Sequence, residues 1–317
     1  MDAASPLTRV MNQRVLITGS SGLVGRALRD GLTSQGFEIH SLDLRAQGAN
    51  HGDVRDLARV RRALPGCDGV VHLAAVSRVI WAERDPQLCM STNVPGLHNV
   101  LRCIAESQRR PWLIFASSRE VYGQPDRLPA DEDCPLDPIN IYGQSKVEGE
   151  KLIDAARADG LRAAIVRLSN VFGCPRDYPD RVVPAFARAA VEGNPLRVDG
   201  ASNTFDFTHI DDVARGLVEL VKLLSAKEAA PPPIHFVTGS PTTLGELATL
   251  ATTIAGSKSA VHAAPPRSFD VARFHGDPAR ARSILGWTPQ VPLERGLTQL
   301  IEAFRAELDG ERRAHES

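Results

Sequence analysis

Tyr142-Gly143-Gln144-Ser145-Lys146 sets a phenol and an ammonium four residues apart, a spacing that places both on one face of a helix. A cation beside a phenol favours the phenolate, and so favours Tyr142 as a base. A second group of residues is built to bind. Thr18-Gly19-Ser20-Ser21-Gly22-Leu23-Val24-Gly25 follows the short β-branched run RVLIT. Backbone N–H groups around Gly19, Ser21, Gly22, Leu23 and Val24, at the positive end of a following helix, can then meet a pyrophosphate. Glycine serves there because a Cβ would block the phosphate. The spacing is G-x-x-G-x-x-G, a weak pattern by itself that gains its meaning from standing between a strand and a helix.

Asp43 ends the next apolar stretch, 18 residues after Gly25. A carboxylate at that point accepts both ribose hydroxyls of NAD and repels the 2′-phosphate of NADP, so NAD is the expected cofactor. Arg45, two residues on, is read either as a group that accommodates a 2′-phosphate or as a solvated loop arginine. With NAD⁺ in the cleft, its nicotinamide and Lys146 would share the work on Tyr142. Bringing a phenol from about 10 toward 7 takes roughly 4 kcal/mol of preferential phenolate stabilisation.

The elements that must position these groups alternate. Strands are predicted at 14–18, 37–43, 69–75, 111–117 and 162–168, with helices over 23–32, around 56–63, from Asn93 to Ser107, and from near Ile139 or Tyr142 onward. That order implies right-handed crossovers and an α/β, Rossmann-type doubly wound parallel sheet covered on both faces. Beyond about residue 175 the pattern loosens into a helix near 182–192, a strand at 205–210, a helix from Asp211 and a strand at 234–240. We read this as a smaller C-terminal substrate-binding lobe interleaved with the sheet. The expected division is a cofactor-binding domain at 12–175 joined by 206–240, with 176–205 and 241–310 forming the lobe. Thr243 and Glu246 have capping-box spacing before an apolar helix, and the closing ERRAHES is expected to fray.

The chain has 317 residues, 43% of them hydrophobic, enough for a large core, and 37 basic against 38 acidic residues leave a net charge of −1. No global field therefore draws it to nucleic acid or to an anionic membrane, and a small polar ligand is the expected partner. Five cysteines without C-x-x-C or His spacing argue for reduced thiols and against a metal site. The opening MDAASPLTRVMNQ lacks the apolar core of a signal peptide, and no apolar run approaches the ~20 residues of a membrane helix. A cytoplasmic protein is the expectation.

The motifs TGSSGLVG, LDLR, HGDVRD, VVHLAA, TNVPG, FASSREVYG, YGQSK, RLSNVFG, DFTHIDDVA and LGWTP, in this order, resemble the extended short-chain dehydrogenase/reductase family of nucleotide-sugar epimerases and dehydratases. The likeness runs from residue 14 to about 300. It implies that Ser118 is the catalytic hydroxyl, with Tyr142 the base and Lys146 its partner. It implies further that Asp53 and Val54 hold adenine and that Leu73, Ala74 and Ala75 follow the cofactor. Asn93 and Asn170 would line the nicotinamide and substrate side, although for Asn93 a helix N-cap is an equal reading. Arg267, accompanied by Asp270, matches an arginine that clamps the diphosphate of a sugar nucleotide. The chain departs from the pattern at Phe205, where many relatives carry a diphosphate-binding arginine. Arg181, followed by Val182, or Arg176 is the expected substitute.

The implied chemistry is hydride transfer from a sugar carbon through a transient keto-sugar, with 4-epimerisation favoured because it needs only Ser118, Tyr142 and Lys146. Alternatives are a dehydratase or decarboxylase that uses Glu120 as an extra base, a net NAD(H)-dependent ketosugar reductase, and a non-catalytic NAD-binding regulator. Arg119 and Glu120 pose their own question, because a charged pair stands where a buried strand ordinarily gives way to an uncharged loop. Glu120 occupies a position that is acidic in dehydratases and decarboxylases of this family. Arg119 is read either as a group attracting a uronic carboxylate or as half of a loop ion pair worth under about 1 kcal/mol. The apolar faces of helices 93–107 and 142–158 match a four-helix homodimer interface in the family, and plain core packing explains them equally well.

Overall fold

The computed structural model describes residues 13–315; most of the segment examined for a signal peptide lies outside them. Strands β1 (Arg14–Thr18), β2 (Glu38–Leu42), β3 (Gly69–His72), β4 (Trp112–Ser118), β5 (Ala163–Leu168) and β9 (Ile234–Phe236) form one parallel sheet in the order β2-β1-β3-β4-β5-β9. Residues Val15–Ile17 and Val70–Val71, with nearly all of β4, are buried. That accounts for their continuous apolar runs, because a parallel sheet is covered on both faces. One face packs on α1 (Leu23–Ser34) and α7 (Ile210–Ser225) through Leu28, Leu32, Val213 and Leu217. The other packs on α2 (Leu57–Ala63), α4 (Pro86–Glu106) and α5 (Ile141–Ala158) through Val60, Leu97, Val100 and Ile153.

A second core brings together β6 (Asn170–Phe172), α6 (Val182–Glu192), β7 (Leu196–Asp199), β8 (Thr204–His209), α8 (Leu244–Ala255) and α10 (Leu293–His315). Phe172, Phe186, Phe207, Leu247 and Phe304 are its large side chains. β10 (Pro241–Thr243) completes the three-stranded sheet β10-β8-β6, β11 (Val261–Ala264) pairs with β7, and α9 (Ala279–Leu285) packs beside β9. The predicted capping box is present, with Thr243 Oγ1 accepting from Glu246 N and the Glu246 carboxylate accepting from Thr243 N.

Several boundaries differ from expectation. A short helix, α3 (Val79–Arg84), was not predicted. α4 begins at Pro86 rather than Asn93, because Asp85 supplies the cap, accepting from Leu88 N, and proline at the first helical position needs no N–H partner. Asn93 is therefore inside the helix and is not its N-cap. The closing residues continue α10 to His315 instead of fraying after Gly310, while residues 316 and 317 lie outside the described part. All five cysteines are free, and among the described residues no helix is long and apolar enough to cross a membrane.

His72 and His235 are both buried and neutral. Burial is the main cause in each case, with Lys146 adding to it at His72 and Arg167 and Arg280 at His235, and each is pushed down to about 3. A depressed folded-state value means that the unfolded chain takes up protons the folded chain refuses, so stability falls as pH drops from about 6.5 toward 3. Glu132, Asp177 and Asp206, whose values burial raises, act in the opposite direction. The histidine part is isolated by substitution. His72→Asn and His235→Gln should each flatten the loss between pH 6 and 4 by about 1.4 kcal/mol per pH unit, read by urea unfolding. An unchanged slope would remove the histidines from the account.

Candidate active site

One cleft of about 720 Å³ runs along the carboxyl ends of β1, β3, β4 and β5, where an open α/β sheet leaves its crevice. At one end the turn Gly19–Gly25 joins β1 to α1. Gly19 has a φ of +74°, and a Cβ on it would stand 2.7 Å from Ala74 N; one on Gly25 would stand 2.3 Å from Gly19 O. A Cβ on Gly22 would meet Gly19 O at 3.2 Å and the Arg45 guanidinium at 3.7 Å, so the missing side chain keeps the cleft floor open. Gly22 caps α1 with no side-chain hydrogen bond, and the first turn holds no acidic residue. Its N–H groups are thus available to a phosphate. The first-turn N–H groups of Leu23 and Val24, with Gly19 and Gly22 on the cleft floor, fit the phosphates of a dinucleotide, whereas Ser21 is outside the lining and its N–H, like those of Gly19 and Gly22, is already donated to a protein oxygen.

Asp43 is buried at the cleft wall, and its carboxylate accepts from Ser21 N at 2.9 Å and Arg45 N at 2.7 Å. Arg45 is half-exposed, with its guanidinium 5.8 Å from the centre of the Tyr178 ring. Asp53, Val54, Leu73, Ala74 and Ala75 line the same cleft. Asp53 is paired with Arg55 at 2.6 Å, which holds its carboxyl below the usual range. Asn93 stands behind the wall: its side chain accepts from Val76 N at 2.8 Å and donates to Ser145 Oγ at 2.8 Å. It shapes the Val76 loop rather than facing the cleft.

At the centre, β4 ends at Ser118 and α5 begins at Ile141, so the strand end and the first two helical turns carry Ser118, Tyr142 and Lys146 to a common wall. Asn140 caps α5, accepting from Gly143 N at 2.8 Å. Lys146 donates to Ala116 O at 2.8 Å, with its Nζ 5.7 Å from the centre of the Tyr142 ring. The phenol does not behave as its neighbour alone predicts. Burial pushes Tyr142 above its ordinary value, and the Ser118 hydroxyl is the strongest opposing influence. Lys146, engaged with a carbonyl, is itself brought down to about 8 by burial. In the chain by itself burial therefore outweighs the groups that favour the phenolate.

The Arg119–Glu120 pair is the other correction. It lies in a 3₁₀ turn, Arg119–Tyr122, with both side chains over nine-tenths buried, and so is no exposed loop pair. Arg119 Nη2 meets Glu120 Oε1 at 2.8 Å, while Glu120 Oε2 accepts from Asn140 Nδ2 at 2.7 Å. With both carboxylate oxygens engaged, Glu120 clamps the start of α5, the helix that carries Tyr142.

At the far end Asn170, Arg181, Val182, Phe205, Arg267 and Asp270 line the cleft. Arg267 donates to Asp270 at 2.8 Å, and Arg181 lies 3.6 Å from Asp177. Arg176 does not reach the lining. Sequence reasoning missed Arg197, which lines this end and pairs with Asp199. It also missed a cover made by Arg78, Trp81, Tyr178 and Asp180. Arg78 pairs with Asp180, and the Trp81 and Tyr178 rings meet edge to face with centres 4.7 Å apart. The one available signal was that Arg78 follows the end of β3, where the crevice of such a sheet must lie.

Comparison with known proteins agrees with this construction. The model of the NAD dependent epimerase/dehydratase family matches residues 15–239. UDP-glucuronic acid decarboxylase 1 of Danio rerio is 30% identical over 315 residues, spanning 94% of this chain and 74% of its own. A Thermotoga maritima UDP-glucose 4-epimerase solved with UDP-glucose superposes with a TM-score of 0.85 at 28% identity, covering 93% of this chain and all of that one. A Streptomyces venezuelae dTDP-glucose 4,6-dehydratase solved with NAD gives 0.85 at 28% identity, covering 94% and 98%. The chain therefore belongs to the NAD-dependent epimerase/dehydratase family of extended short-chain dehydrogenases/reductases and is an enzyme that uses NAD.

Proposed function

We propose that the protein is a nucleotide-sugar 4-epimerase. The observation that carries this is the meeting of Ser118, Tyr142 and Lys146 on the wall of one cleft, between a glycine cradle and an arginine-lined end. Bound NAD⁺ supplies a hydride acceptor. Tyr142 takes the proton of the sugar hydroxyl as its carbon becomes a carbonyl, and Ser118 holds that oxygen. Lys146 offers a positive charge to the phenolate side. Turning the keto-sugar over and returning the hydride to its other face completes an epimerisation, and no further acid or base is needed. The far end, with Arg181 and Arg267, supplies donors suited to a diphosphate.

Dehydration or decarboxylation of the same keto-sugar is the second reading. It is favoured by Glu120 lining the cleft beside Ser118 and disfavoured by the occupation of both its oxygens. Incubation with UDP-, dTDP-, GDP- and CDP-sugars, followed by mass spectrometry and NMR, tests both. An isomer of unchanged mass supports epimerisation, and loss of water or carbon dioxide supports the second reading. Turnover of none defeats the assignment. We further propose a homodimer through α4 and α5, whose apolar faces include the partly buried Val94, Leu101, Val147 and Leu152; a monomer in light scattering would refute it.

A further inference from the structure

We infer that Arg119 is the residue that takes an oxyanion of the substrate at the arginine-lined end of the cleft. This rests on the nucleotide-sugar reading above. Arg119, Arg181, Arg197 and Arg267 all line that end. Each is paired with a carboxylate: Arg181 with Asp177, Arg197 with Asp199, Arg267 with Asp270 and Arg119 with Glu120. Arg119 differs in two ways. Its side chain is only 8% exposed, and its Nη1 is buried with no hydrogen-bond partner among the described residues. Its Nη2 bonds Glu120, which is itself shared with Asn140.

The guanidinium lies over two aromatic rings, 4.7 Å from the centre of Phe205 and 5.7 Å from that of Phe274. Phe205 is the position at which the sequence departs from the expected arginine. The two oddities of the sequence, an arginine at 119 and a phenylalanine at 205, are therefore one feature. The ring stiffens and orients the cation by stacking and offers no acceptor to Nη1. A buried N–H without a partner costs about 1–3 kcal/mol, and a substrate oxygen delivered to the cleft recovers that cost in binding. An anionic oxygen is favoured, because hydrogen bonds between ionised groups are the stronger kind. Two parts of a nucleotide sugar carry such oxygens, the diphosphate and a carboxylate on the sugar.

The test is calorimetric binding of the nucleotide monophosphates and diphosphates of uridine, thymidine, guanosine and cytidine, and of UDP-glucose and UDP-glucuronate. Wild type is compared with Arg119→Met, with Arg119→Lys, and with Arg119→Met/Glu120→Gln, which leaves no orphaned charge. Retained NAD and an unchanged unfolding midpoint in the double variant certify the fold. If the diphosphate is the source, the Met variants lose roughly 10–100-fold toward the preferred diphosphate while its monophosphate is unaffected. If a sugar carboxylate is the source, only UDP-glucuronate loses that factor. In either case Lys recovers part of the loss, because it restores charge without the planar fork. Equal binding by wild type and variants overturns the inference and leaves the nucleotide-sugar reading intact, and equal losses toward every ligand, monophosphates included, overturn it as well. A wild type that binds none of the ligands overturns both.

Discussion

Tyr142→Phe is expected to lower turnover of the preferred sugar nucleotide by about 10²–10⁴-fold while the chain stays folded and keeps its NAD. The phenol ring packs with Ala82 and Cys89, with Val76 and Val79 beside it, and phenylalanine preserves all of that contact. Only the oxygen that accepts the proton is lost. Because burial holds this phenol above its ordinary value, the base form is scarce at low pH. Wild-type kcat/KM should therefore fall up to tenfold per unit on the acid side. That limb should vanish in the variant, whose residual rate no longer depends on this proton. Product formation measured across pH, with NAD content as the control, checks both parts. A variant within threefold of wild type, or one that keeps the acid limb, would show that another group carries the proton.

Arg167→Met is expected to destabilise the fold by about 3–5 kcal/mol, the cost of leaving a buried charge without its partner. Arg167 on β5 grips Glu150 on α5 with two parallel bonds of 2.9 and 2.6 Å. It also donates to Tyr122 Oη at 2.6 Å and Glu132 O at 2.8 Å. Burial alone disfavours the Arg167 charge, and Glu150 and Tyr122 together more than reverse that effect. Once the arginine is removed, Ser117 Oγ, at 2.5 Å, is the one partner left on the buried carboxylate among the described residues. Pairing the change with Glu150→Leu should return most of the loss, since two apolar groups leave no orphan charge. Urea unfolding of the single and double variants decides this, and a single-variant loss below about 1 kcal/mol would contradict it. The same α5 face carries Tyr142 and Lys146, so the pair also anchors the helix on which the chemistry depends.

Part of the site was legible in the sequence because it is local. The glycine turn, Asp43 at the end of β2 and the Tyr142–Lys146 spacing lie within one element or across one turn. Neighbouring residues fix their conformations, and the structure brings these groups to the cleft that the sequence implied. The start of α4 was misread for a local reason too. Asn93 is a weaker start than Asp85 followed by Pro86, which supplies both the cap and a first residue that needs no N–H partner. Asn93 then proved to hold the Val76 loop through contacts with Val76 and Ser145, which no spacing announces.

What the sequence determined by itself is the layout: a parallel sheet, a glycine turn between its first strand and first helix, and a phenol and an ammonium on one helical face. All of these follow from periodicity and steric freedom over a few residues. The tertiary structure alone decided which distant groups meet. It set Arg119 against Phe205, Glu120 against Asn140, Arg167 against Glu150, and Tyr178 over the mouth beside Arg78 and Trp81. It also decided the charge states, because burial governs the proton affinities of Tyr142 and Lys146 more strongly than their mutual spacing does. Burial belongs to the packed molecule and not to any stretch of chain, so the properties that make these residues reactive arise only once the chain has packed around them.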